Sequence, residues 1–468
     1  MLSISLSELV KVTGGEVLNN GKGNQTIARG VSIDSRTIKK GNLFIAISGE
    51  RFDGHQFVSE AAEKGAGVVI ISQEKTKQMK KKELQGIPVV LVEDTKRALR
   101  EIASWHRGRF ELPTVAVTGT NGKTTTKDMI AGVLSSKFKV LKSIKSYNNL
   151  IGVPLTLFEL EKDTQVLILE LGMSELGEIG ILTKIAKPNI GVITNIGPAH
   201  LESMQSLDRI ARAKFELLDN MRSPHTAVLN ADDEFMTKRI KKGKEKAVSF
   251  SIKNKADFKA DGITINHEGY IGFKVNGKHR IDLKLLGEHN VYNALAAFAV
   301  GTLLGVEEEK IKSGLEKYKP SELRMELVRL DNIRVINDSY NANPVSMANA
   351  LRTLKQMSTD GRKIAVLGDM LELGKKTFGY HLELGKKVAE SEIDLLLTVG
   401  KASPTIGQGA RDQGMNSEKI LSFDNNERAN SYLLENLKAG DLVLIKGSRK
   451  MKLEEVVISL KSLYGRQN

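Results

Sequence analysis

The stretch Val115–Thr126, VAVTGTNGKTTT, contains a Gly-x-x-Gly pattern that is followed directly by a lysine and three threonines. The common phosphate-binding loop has a glycine, four further residues and then Gly-Lys-Ser/Thr, but Val117 stands where that first glycine is expected. The physical requirements are nevertheless met, because an apolar strand over Thr114–Val117 leads into small residues and a helix that begins near Lys123. Backbone N–H groups and the positive end of the helix would then face an anion.

Lys123 and Thr124 have the side chains that such a loop requires. A lysine at this position reaches the β- and γ-phosphates of a nucleotide, and a hydroxyl binds Mg²⁺. An ordinary strand-to-helix turn with a threonine cap is the alternative. The combination of a preceding strand, Gly-x-x-Gly and Lys-Thr favours a phosphate site.

Two further candidates follow predicted strands. The strand Gln165–Leu171 ends near Glu170, and the strand Asn189–Gly197 leads to His200. Ligands of open parallel sheets bind beyond the carboxyl ends of the strands, so both side chains would lie at the same edge as Lys123. Glu170 is a natural Mg²⁺ ligand, with helix capping or a salt bridge as the alternative. The spacing of His200 is equally compatible with metal binding and with a structural role.

Lys214 lies in RIARAKFELLDN, within a helix predicted from Leu207 to about Met221. Its apolar neighbours indicate a half-buried helix. On such a helix a lysine covers apolar surface with its stem while its ammonium reaches water. Spacing alone therefore gives Lys214 no chemical role.

The elements that must position these residues alternate between strands and helices. Val/Ile/Leu-rich runs separated by helical patterns predict an α/β protein whose mostly parallel sheet is covered on both faces. Residues 247–287 shift to shorter alternating strands with NHEG and VNGK turns, which predicts an antiparallel flank. Two helices then close the central unit near Tyr318.

Similar patterns on either side of this unit predict three domains. The first contains the strands LFIAISG (Leu43–Gly49) and GVVIIS (Gly67–Ser72) with a helix between them. The last contains four strands, IRVIND, KIAVLGD, LLLTVG and DLVLIKG, with helices between them. We expect the domains to span residues 1–95, 96–318 and 319–468.

Composition excludes several classes of protein. The chain has 468 residues, of which 40% are hydrophobic and 27% charged, as in soluble globular proteins. It has no cysteine, which excludes disulfides and thiolate metal sites and suits a reducing cytoplasm. The N-terminal sequence lacks a signal-peptide pattern, and no window approaches about 18 uninterrupted apolar residues. We therefore expect a cytoplasmic protein without membrane insertion.

The net charge of +14 suits nucleic acid, an anionic membrane surface or polyanionic small substrates. The densest basic run, Lys75–Glu83, has few apolar residues and no aromatic ones, as in a solvated loop or helix face. Aromatic residues make up only 5% of the chain, which argues against a surface for stacking bases. Small polyanions are therefore the favoured partners, and no nucleic acid is expected.

Taken together, the motifs resemble the Mur ligase family, the ATP-dependent amide-forming enzymes of bacterial cell-wall precursor synthesis. GTNGKTT, ELGM, TNIGPAHLE, ARAKFEL and GEHNVYNALAA occur in the family's order. The shortened Gly-x-x-Gly-Lys-Thr loop is the family's own variant of the phosphate loop. The resemblance implies a small α/β domain for the UDP substrate, a central phosphate-loop ATPase domain and a Rossmann-like third domain.

The outer domains indicate a branch of the family. NDSYNANPVSM (Asn337–Met347) and VLGDMLELG (Val366–Gly374) resemble the members that join D-alanyl-D-alanine to UDP-N-acetylmuramoyl-tripeptide. The Asp-Tyr-Ala-His-Thr-Pro and Asp-Asn-Pro-Arg stretches of the sibling that adds the third residue are absent. The segment Asp34–Phe57 resembles the UDP-muramoyl-peptide pocket of both siblings. Folylpolyglutamate synthase, a more distant relative, lacks the domain that contains this pocket. A sibling ligase for a single amino acid and a nucleic-acid-dependent ATPase remain the alternatives.

The resemblance also implies roles for individual residues in a monomeric enzyme that uses ATP and two Mg²⁺ ions. The metal ligands would be Thr124, Glu170, His200 and a carbamylated Lys214, and the last three would act with Lys123 in catalysis. UDP-substrate contacts would come from Ser35, Arg36, His55, Asn148 and Asn149. ATP would contact Gly119, Thr120, Asn121, Gly122, Lys123, Thr124, Thr125, Asn290, Asn293, Arg324 and Asp338, the last two only after the third domain closes.

Overall fold

A computed structural model describes residues 2–19, 26–49, 52–77, 86–144, 146–243 and 246–464. Within these ranges the strands form sheets of five, nine and six strands and a separate two-stranded pair. Most of the basic run Lys75–Glu83 lies outside the described residues. In the described part, no helix is both long enough and apolar enough to cross a membrane.

The N-terminal region is a small α/β unit. Its elements are β1 (Ser3–Ser5), α1 (Leu6–Thr13), β2 (Glu16–Asn19), β3 (Ile27–Arg29), β4 (Val31–Ser32), β5 (Leu43–Ile45), α2 (Val58–Glu63), β6 (Val68–Ser72), α3 (Gln73–Thr76), β7 (Val89–Val92) and α4 (Thr95–Arg107). The sheet order is β2-β7-β6-β5-β4, with β2 antiparallel to β7 and the other pairs parallel. Strand β5 is shorter than predicted, because the chain turns back where Gly54 donates to the carbonyl of Ile47.

The central region contains a nine-stranded sheet. Its first elements are β8 (Thr114–Thr118), α5 (Lys123–Leu134), β9 (Val140–Lys142), α6 (Gly152–Phe158), β10 (Val166–Glu170), α7 (Glu178–Ala186), β11 (Ile190–Ile193), α8 (Leu201–Met204), α9 (Leu207–Asp219), β12 (Thr226–Asn230) and α10 (Glu234–Lys242). The remaining ones are β13 (Lys246–Ser251), β14 (Phe258–Ile265), β15 (Tyr270–Val275), β16 (His279–Leu286), α11 (His289–Leu303) and α12 (Glu308–Glu316).

The order of this sheet, β16-β15-β14-β13-β12-β11-β8-β10-β9, puts β8 between β10 and β11. The chain leaves β8 toward one side of the sheet and later returns to its other side, so β8 lies at a topological switch point, where open α/β sheets bind ligands. Val115 and Val117 pack in one apolar core and Ala116 in another. Because both faces of β8 are buried, its sequence is continuously apolar instead of alternating.

The predicted antiparallel flank is confirmed with one correction. Strands β14, β15 and β16 pair antiparallel, whereas β13 pairs parallel with both β12 and β14. The parallel part of the sheet therefore extends further along the chain than the alternating pattern indicated. Helix α11 is buried along most of its length, which explains its nearly uninterrupted apolar sequence.

The C-terminal region contains a six-stranded sheet in place of the four strands predicted. Its elements are β17 (Glu326–Leu330), β18 (Ile333–Asn337), α13 (Pro344–Gln356), β19 (Lys363–Gly368), α14 (Thr377–Ala389), β20 (Leu395–Val399), α15 (Pro404–Asp412), β21 (Ile420–Phe423), α16 (Asn426–Asn436), β22 (Leu442–Lys446) and α17 (Glu454–Tyr464). The order is β17-β18-β22-β19-β20-β21, with only β17 antiparallel. The two additional strands are the edges of the sheet.

Candidate active site

The loop between β8 and α5 has the geometry of a phosphate cradle. Gly119 and Gly122 have φ angles of +147° and +81°, which side chains rarely allow. A Cβ atom on Gly119 would collide with Thr194, and one on Gly122 with Asn293. Both positions therefore require glycine, for backbone conformation and for space.

Lys123 begins helix α5 and folds back over this loop. Its Nζ donates to the carbonyl oxygens of Gly119, at 2.8 Å, and Thr120, at 3.0 Å. Burial lowers the pKa of Lys123, with nearby Glu170 acting in the opposite direction and Arg324 adding to the decrease. The lysine therefore lies at the mouth of the loop, within reach of any anion that the loop holds.

Glu170, at the end of β10, is fixed by two neighbours. The Thr124 hydroxyl donates to its Oε2 at 2.8 Å, and the Asn148 amide donates to its Oε1 at 2.7 Å. The side chain of Glu170 is buried. A hydroxyl and a carboxylate thus stand side by side next to the loop, as the strand order predicted.

His200 follows β11 and has a left-handed backbone with φ +52°. Its Nδ1 lies 2.6 Å from Oε2 of Glu372, a residue from the segment after β19. The hydrogen bond from His200 lowers the pKa of Glu372, although partial burial raises it. Nothing in the sequence around His200 indicated this partner, because the contact joins two sheets.

Lys214, on α9, is buried, so the prediction that its ammonium reaches water is wrong. Burial lowers the pKa of Lys214 far below its usual value, and repulsion from Lys123 adds to the decrease. No hydrogen bond or ion pair joins its side chain to the described part of the chain. Such an environment favours the neutral amine, which is the nucleophilic form, over the ammonium.

Of the two predicted residues of the C-terminal region, Arg324 contacts the central loop, and Asp338 lines the same cavity. Arg324 Nη2 donates to the Thr124 hydroxyl at 3.1 Å, and its guanidinium stacks 3.7 Å from the ring centre of Tyr340. Asp338 pairs with Lys446 at 2.6 Å. Arg324 thus contacts the phosphate loop in an arrangement in which the C-terminal region is docked on the central one. The approach of Arg324 and Asp338 to a nucleotide stays a prediction.

Asn290 and Asn293 lie in the first turns of α11 and are buried. The Asn293 amide donates to Asn290 at 2.9 Å, and Thr126 donates to Asn293 at 3.1 Å. The two amides therefore connect α11 to the helix that follows the phosphate loop.

These residues surround one cavity of about 610 Å³ between the central and C-terminal sheets. Its lining includes fourteen of the predicted site residues, namely Thr120, Asn121, Gly122, Lys123, Thr124, Thr125, Asn148, Asn149, Glu170, His200, Asn290, Asn293, Arg324 and Asp338. Sequence reasoning missed several other lining residues, including Tyr340, Asn343, Arg352 and Lys446. Gly119 contributes its carbonyl to the loop, whereas Lys214 does not line the cavity.

The predicted substrate residues of the N-terminal region lie outside this cavity. Ser35 donates to Glu60 at 2.9 Å, and the exposed Arg36 pairs with Asp34 at 2.7 Å. His55 is buried, and both of its ring nitrogens have partners. Nδ1 lies 2.6 Å from a carboxylate oxygen of Asp53, and Nε2 accepts the backbone N–H of Ser72 at 3.0 Å.

The donor atoms at the loop suit a hard divalent cation. Thr124 and Glu170 present a hydroxyl and a carboxylate oxygen beside the phosphate cradle, which matches the oxygen preference of Mg²⁺. In the described part of the chain, no three His, Cys, Asp or Glu side chains are grouped to hold a metal ion by themselves. A cation here would therefore need further ligands, such as phosphate oxygens or water.

Family models match most of the chain. The Mur ligase family catalytic domain matches residues 28–107, the Mur ligase middle domain residues 117–301, and the Mur ligase glutamate ligase domain residues 323–449. Together with the phosphate cradle and the three-sheet architecture, these matches define the class. The chain belongs to the Mur ligase family.

Several relatives that match over almost the full length of this chain carry the same name. UDP-N-acetylmuramoyl-tripeptide--D-alanyl-D-alanine ligase of Bacillus subtilis is 35% identical over 458 residues, covering 97% of both chains. The enzyme of that name from Escherichia coli is 32% identical and covers 98% of this chain and 99% of its own. The crystal structure of MurF from Acinetobacter baumannii superposes with a TM-score of 0.89 at 30% identity, covering 99% of each chain. MurF ligase from Thermotoga maritima in complex with ADP gives 0.82 at 27% identity, covering 94% of this chain and 99% of that one.

Proposed function

We propose that this chain is an ATP-dependent ligase that joins D-alanyl-D-alanine to UDP-N-acetylmuramoyl-tripeptide, giving the pentapeptide, ADP and phosphate. The observation that carries the proposal is the single cavity shared by the phosphate loop, Glu170 and Arg324 of the C-terminal region. Relatives that match over almost the full length and bear this name support it. The product would serve peptidoglycan precursor synthesis.

The chemistry explains why ATP is needed. A carboxylate resists attack by an amine, because its charge repels nucleophiles and oxide is a poor leaving group. Transfer of the γ-phosphoryl group to the terminal carboxylate of the tripeptide gives an acyl phosphate and ADP. The amine of D-alanyl-D-alanine then attacks the acyl carbon, phosphate leaves and an amide bond remains.

Two anions must meet in the first step, so neutralisation of charge should dominate catalysis. We assign the phosphates of ATP to Gly119–Thr125. When ATP binds, Lys123 Nζ would donate to the β- and γ-phosphate oxygens in place of the carbonyl oxygens of Gly119 and Thr120. Arg324 is close enough to Thr124 to reach the same oxygens. Asn290, Asn293 and Asp338 complete the nucleotide end of the cavity.

Thr124, Glu170 and His200, which line the same cavity, would hold Mg²⁺. The ion would neutralise phosphate charge in the first step and stabilise the anionic phosphate as it leaves. The hydroxyl and carboxylate oxygens already in place support this assignment.

We further propose that Lys214 is carbamylated and supplies oxygen to a second Mg²⁺. Its uncharged amine adds to CO₂ with loss of a proton, and the product is a carbamate anion. The buried position and strongly lowered pKa of Lys214 support the reaction, because only the free amine attacks CO₂. The carbamate would also give Lys123 a nearby opposite charge.

The muramoyl-peptide end is assigned to Ser35, Arg36, His55, Asn148 and Asn149. Arg36 is exposed and able to turn from Asp34 to a phosphate of the UDP group. His55 uses both ring nitrogens within its own sheet region, so its contribution would be to shape the pocket. Asn148 links this end to Glu170.

The same proposal sets the domain limits at 1–95, 96–318 and 319–468. We also propose a monomer that works in the cytoplasm on soluble nucleotide substrates, without nucleic acid. The excess positive charge of the chain suits two polyanionic substrates, ATP and a UDP-linked peptide.

Mass analysis of the product tests the proposal. The purified chain is incubated with Mg-ATP and UDP-N-acetylmuramoyl-tripeptide in every reaction. The amine is D-alanyl-D-alanine in one reaction and a single amino acid in each of the others. We expect a UDP-muramoyl-pentapeptide with the dipeptide only. A tetrapeptide made with a single amino acid would contradict the dipeptide as the amine substrate. A tripeptide made from UDP-N-acetylmuramoyl-dipeptide would instead assign the activity of the sibling that adds the third residue.

A further inference from the structure

The segment after β19 reaches from the C-terminal sheet to the central region at His200. Besides the 2.6 Å contact of His200 Nδ1 with Glu372, the backbone N–H of Glu202 donates to the carbonyl of Glu372 at 3.0 Å. Gly374 lies against Glu202 as well. A side-chain and a main-chain contact therefore hold the two segments together at one point.

Both partners of the side-chain contact have unusual backbones. The φ angles are +52° for His200 and +64° for Glu372, in the left-handed region that residues other than glycine rarely adopt. Such conformations persist where the surrounding structure determines them, and they concentrate at functional sites. Here the two strained residues face each other across the boundary between two sheets.

The contact also determines which nitrogen of His200 is free. A metal ligand must be a neutral imidazole, and in that form an Nδ1–H donated to Glu372 leaves the lone pair on Nε2. In the described part of the chain no hydrogen bond or ion pair involves Nε2, and His200 lines the cavity that contains Thr124 and Glu170. A carboxylate on one imidazole nitrogen fixes the ring and strengthens the other nitrogen as a metal ligand.

We propose that Glu372 is a positioning residue for the metal site. It orients the imidazole of His200 so that Nε2 is presented to the divalent cation, and it does so only when the C-terminal region is docked on the central one. Metal affinity and closure are thereby coupled through one hydrogen bond. This inference rests on the proposed function, which supplies the metal.

A simple ion pair between two sheets is the competing explanation. Such an ion pair would stabilise the docking of the two regions, but it would not change how the imidazole of His200 binds a metal ion. The two explanations differ in a variant that lacks the imidazole, because a positioning residue then has nothing left to position.

The test measures Mn²⁺ binding by electron paramagnetic resonance in the full chain, with a saturating non-hydrolysable ATP analogue. We expect Glu372→Ala to weaken Mn²⁺ binding by about tenfold or more, the range found for such outer-shell partners. Glu372→Gln should lose less, because its amide oxygen still accepts from Nδ1. In a His200→Ala background, Glu372→Ala should cause no further loss. Pulsed measurements should also show a weaker imidazole nitrogen signal on Mn²⁺ in Glu372→Ala.

Glu383→Ala serves as the control, since Glu383 is an exposed carboxylate of the same region paired only with Lys386. Thermal melting of each variant verifies folding. Unchanged Mn²⁺ binding in Glu372→Ala, or an equal loss with and without His200, would overturn the inference alone. Failure of the wild type to bind Mn²⁺ with the analogue would overturn the proposed metal site together with the inference.

Discussion

Lys214 is a buried amine without a compensating carboxylate, a costly arrangement for a charged group. Burial lowers the pKa of Lys214 well below its usual value, which favours the neutral amine over the ammonium. A neutral amine so close to Lys123 repels it less than an ammonium would. The residue is thus prepared for chemistry that a surface lysine does not undergo, and the proposed carbamate follows from this state.

We expect Lys214→Ala to lose at least about 100-fold in turnover, because the variant lacks the proposed anionic oxygen ligand. Added acetate or formate should restore part of the activity by supplying a carboxylate in the same space. Lys184→Ala, which removes an exposed lysine from the adjacent helix α7, is the control and should be unaffected. Wild-type turnover of Lys214→Ala without added carboxylate would contradict the ligand role.

His106 makes stability depend on pH. It is buried on α4 against Phe110 and Phe158, and burial lowers its pKa to about 4 from an ordinary value of 6.5. The unfolded chain therefore binds the proton more tightly. The stability contributed by the neutral ring is complete above about pH 6.5 and is lost as the pH falls toward 4.

Between pH 7 and pH 4, we expect the unfolding free energy of the wild type to fall by roughly 1–3 kcal/mol more than that of His106→Met. Methionine has similar bulk and no titrating group. Urea unfolding followed by fluorescence of the single tryptophan, Trp105, measures both proteins. A difference that stays constant over this pH range would contradict the assignment.

At the scale of elements, the proposed phosphate binding by the loop between β8 and α5 depends on the backbone conformation of its glycines. Gly122→Ala should lose most ligase activity, because the new Cβ meets Asn293 and the left-handed φ is strained. Gly132→Ala, in the same helix α5, has only ordinary contacts and should gain about 0.5–1 kcal/mol of stability. The two variants are a matched pair, and turnover and thermal melting are measured for both. Full activity of Gly122→Ala would show that the loop does not bind phosphate.

Strands β8, β10, β11 and β12 were predictable from sequence because helices cover both faces and leave long apolar runs. Strands β17 and β21 were missed. They are edge strands with mixed polar and apolar positions, and pairing with an existing sheet determines their conformation. Local pattern therefore predicts the centre of each sheet better than its edges.

The residues of the site also differ in how well the sequence predicts them. Gly119–Thr125 was predictable because its chemistry is contained in consecutive residues. Glu372 and Tyr340 were not predictable, since they reach the site through contacts with His200 and Ser146, which lie in another part of the chain. Such contacts have no local sequence pattern and follow only from the fold.

At the scale of the whole molecule, contacts besides that of His200 with Glu372 join the C-terminal region to the central one at the cavity. Arg324 reaches Thr124, and the Tyr340 hydroxyl lies 2.6 Å from that of Ser146. Asn343 donates to Asn121 of the phosphate loop at 2.7 Å. We infer that this docked arrangement is the closed one, which would shield an acyl phosphate from water.

We expect small-angle X-ray scattering to show a smaller radius of gyration with an ATP analogue and UDP-N-acetylmuramoyl-tripeptide than without them. The ligand-bound curve should match the closed arrangement described here. Asn343→Ala, which removes a contact at the closing surface, should need more analogue for the same change. Identical curves with and without saturating ligands would contradict closure.

Phosphate release by the purified chain tests the central claim most directly. With Mg-ATP and UDP-N-acetylmuramoyl-tripeptide we predict little release until D-alanyl-D-alanine is added, and then steady turnover that Lys123→Ala abolishes. Release that ignores the dipeptide, or that rises with DNA or RNA in its place, would contradict the assignment of this chain as a dipeptide-adding ligase.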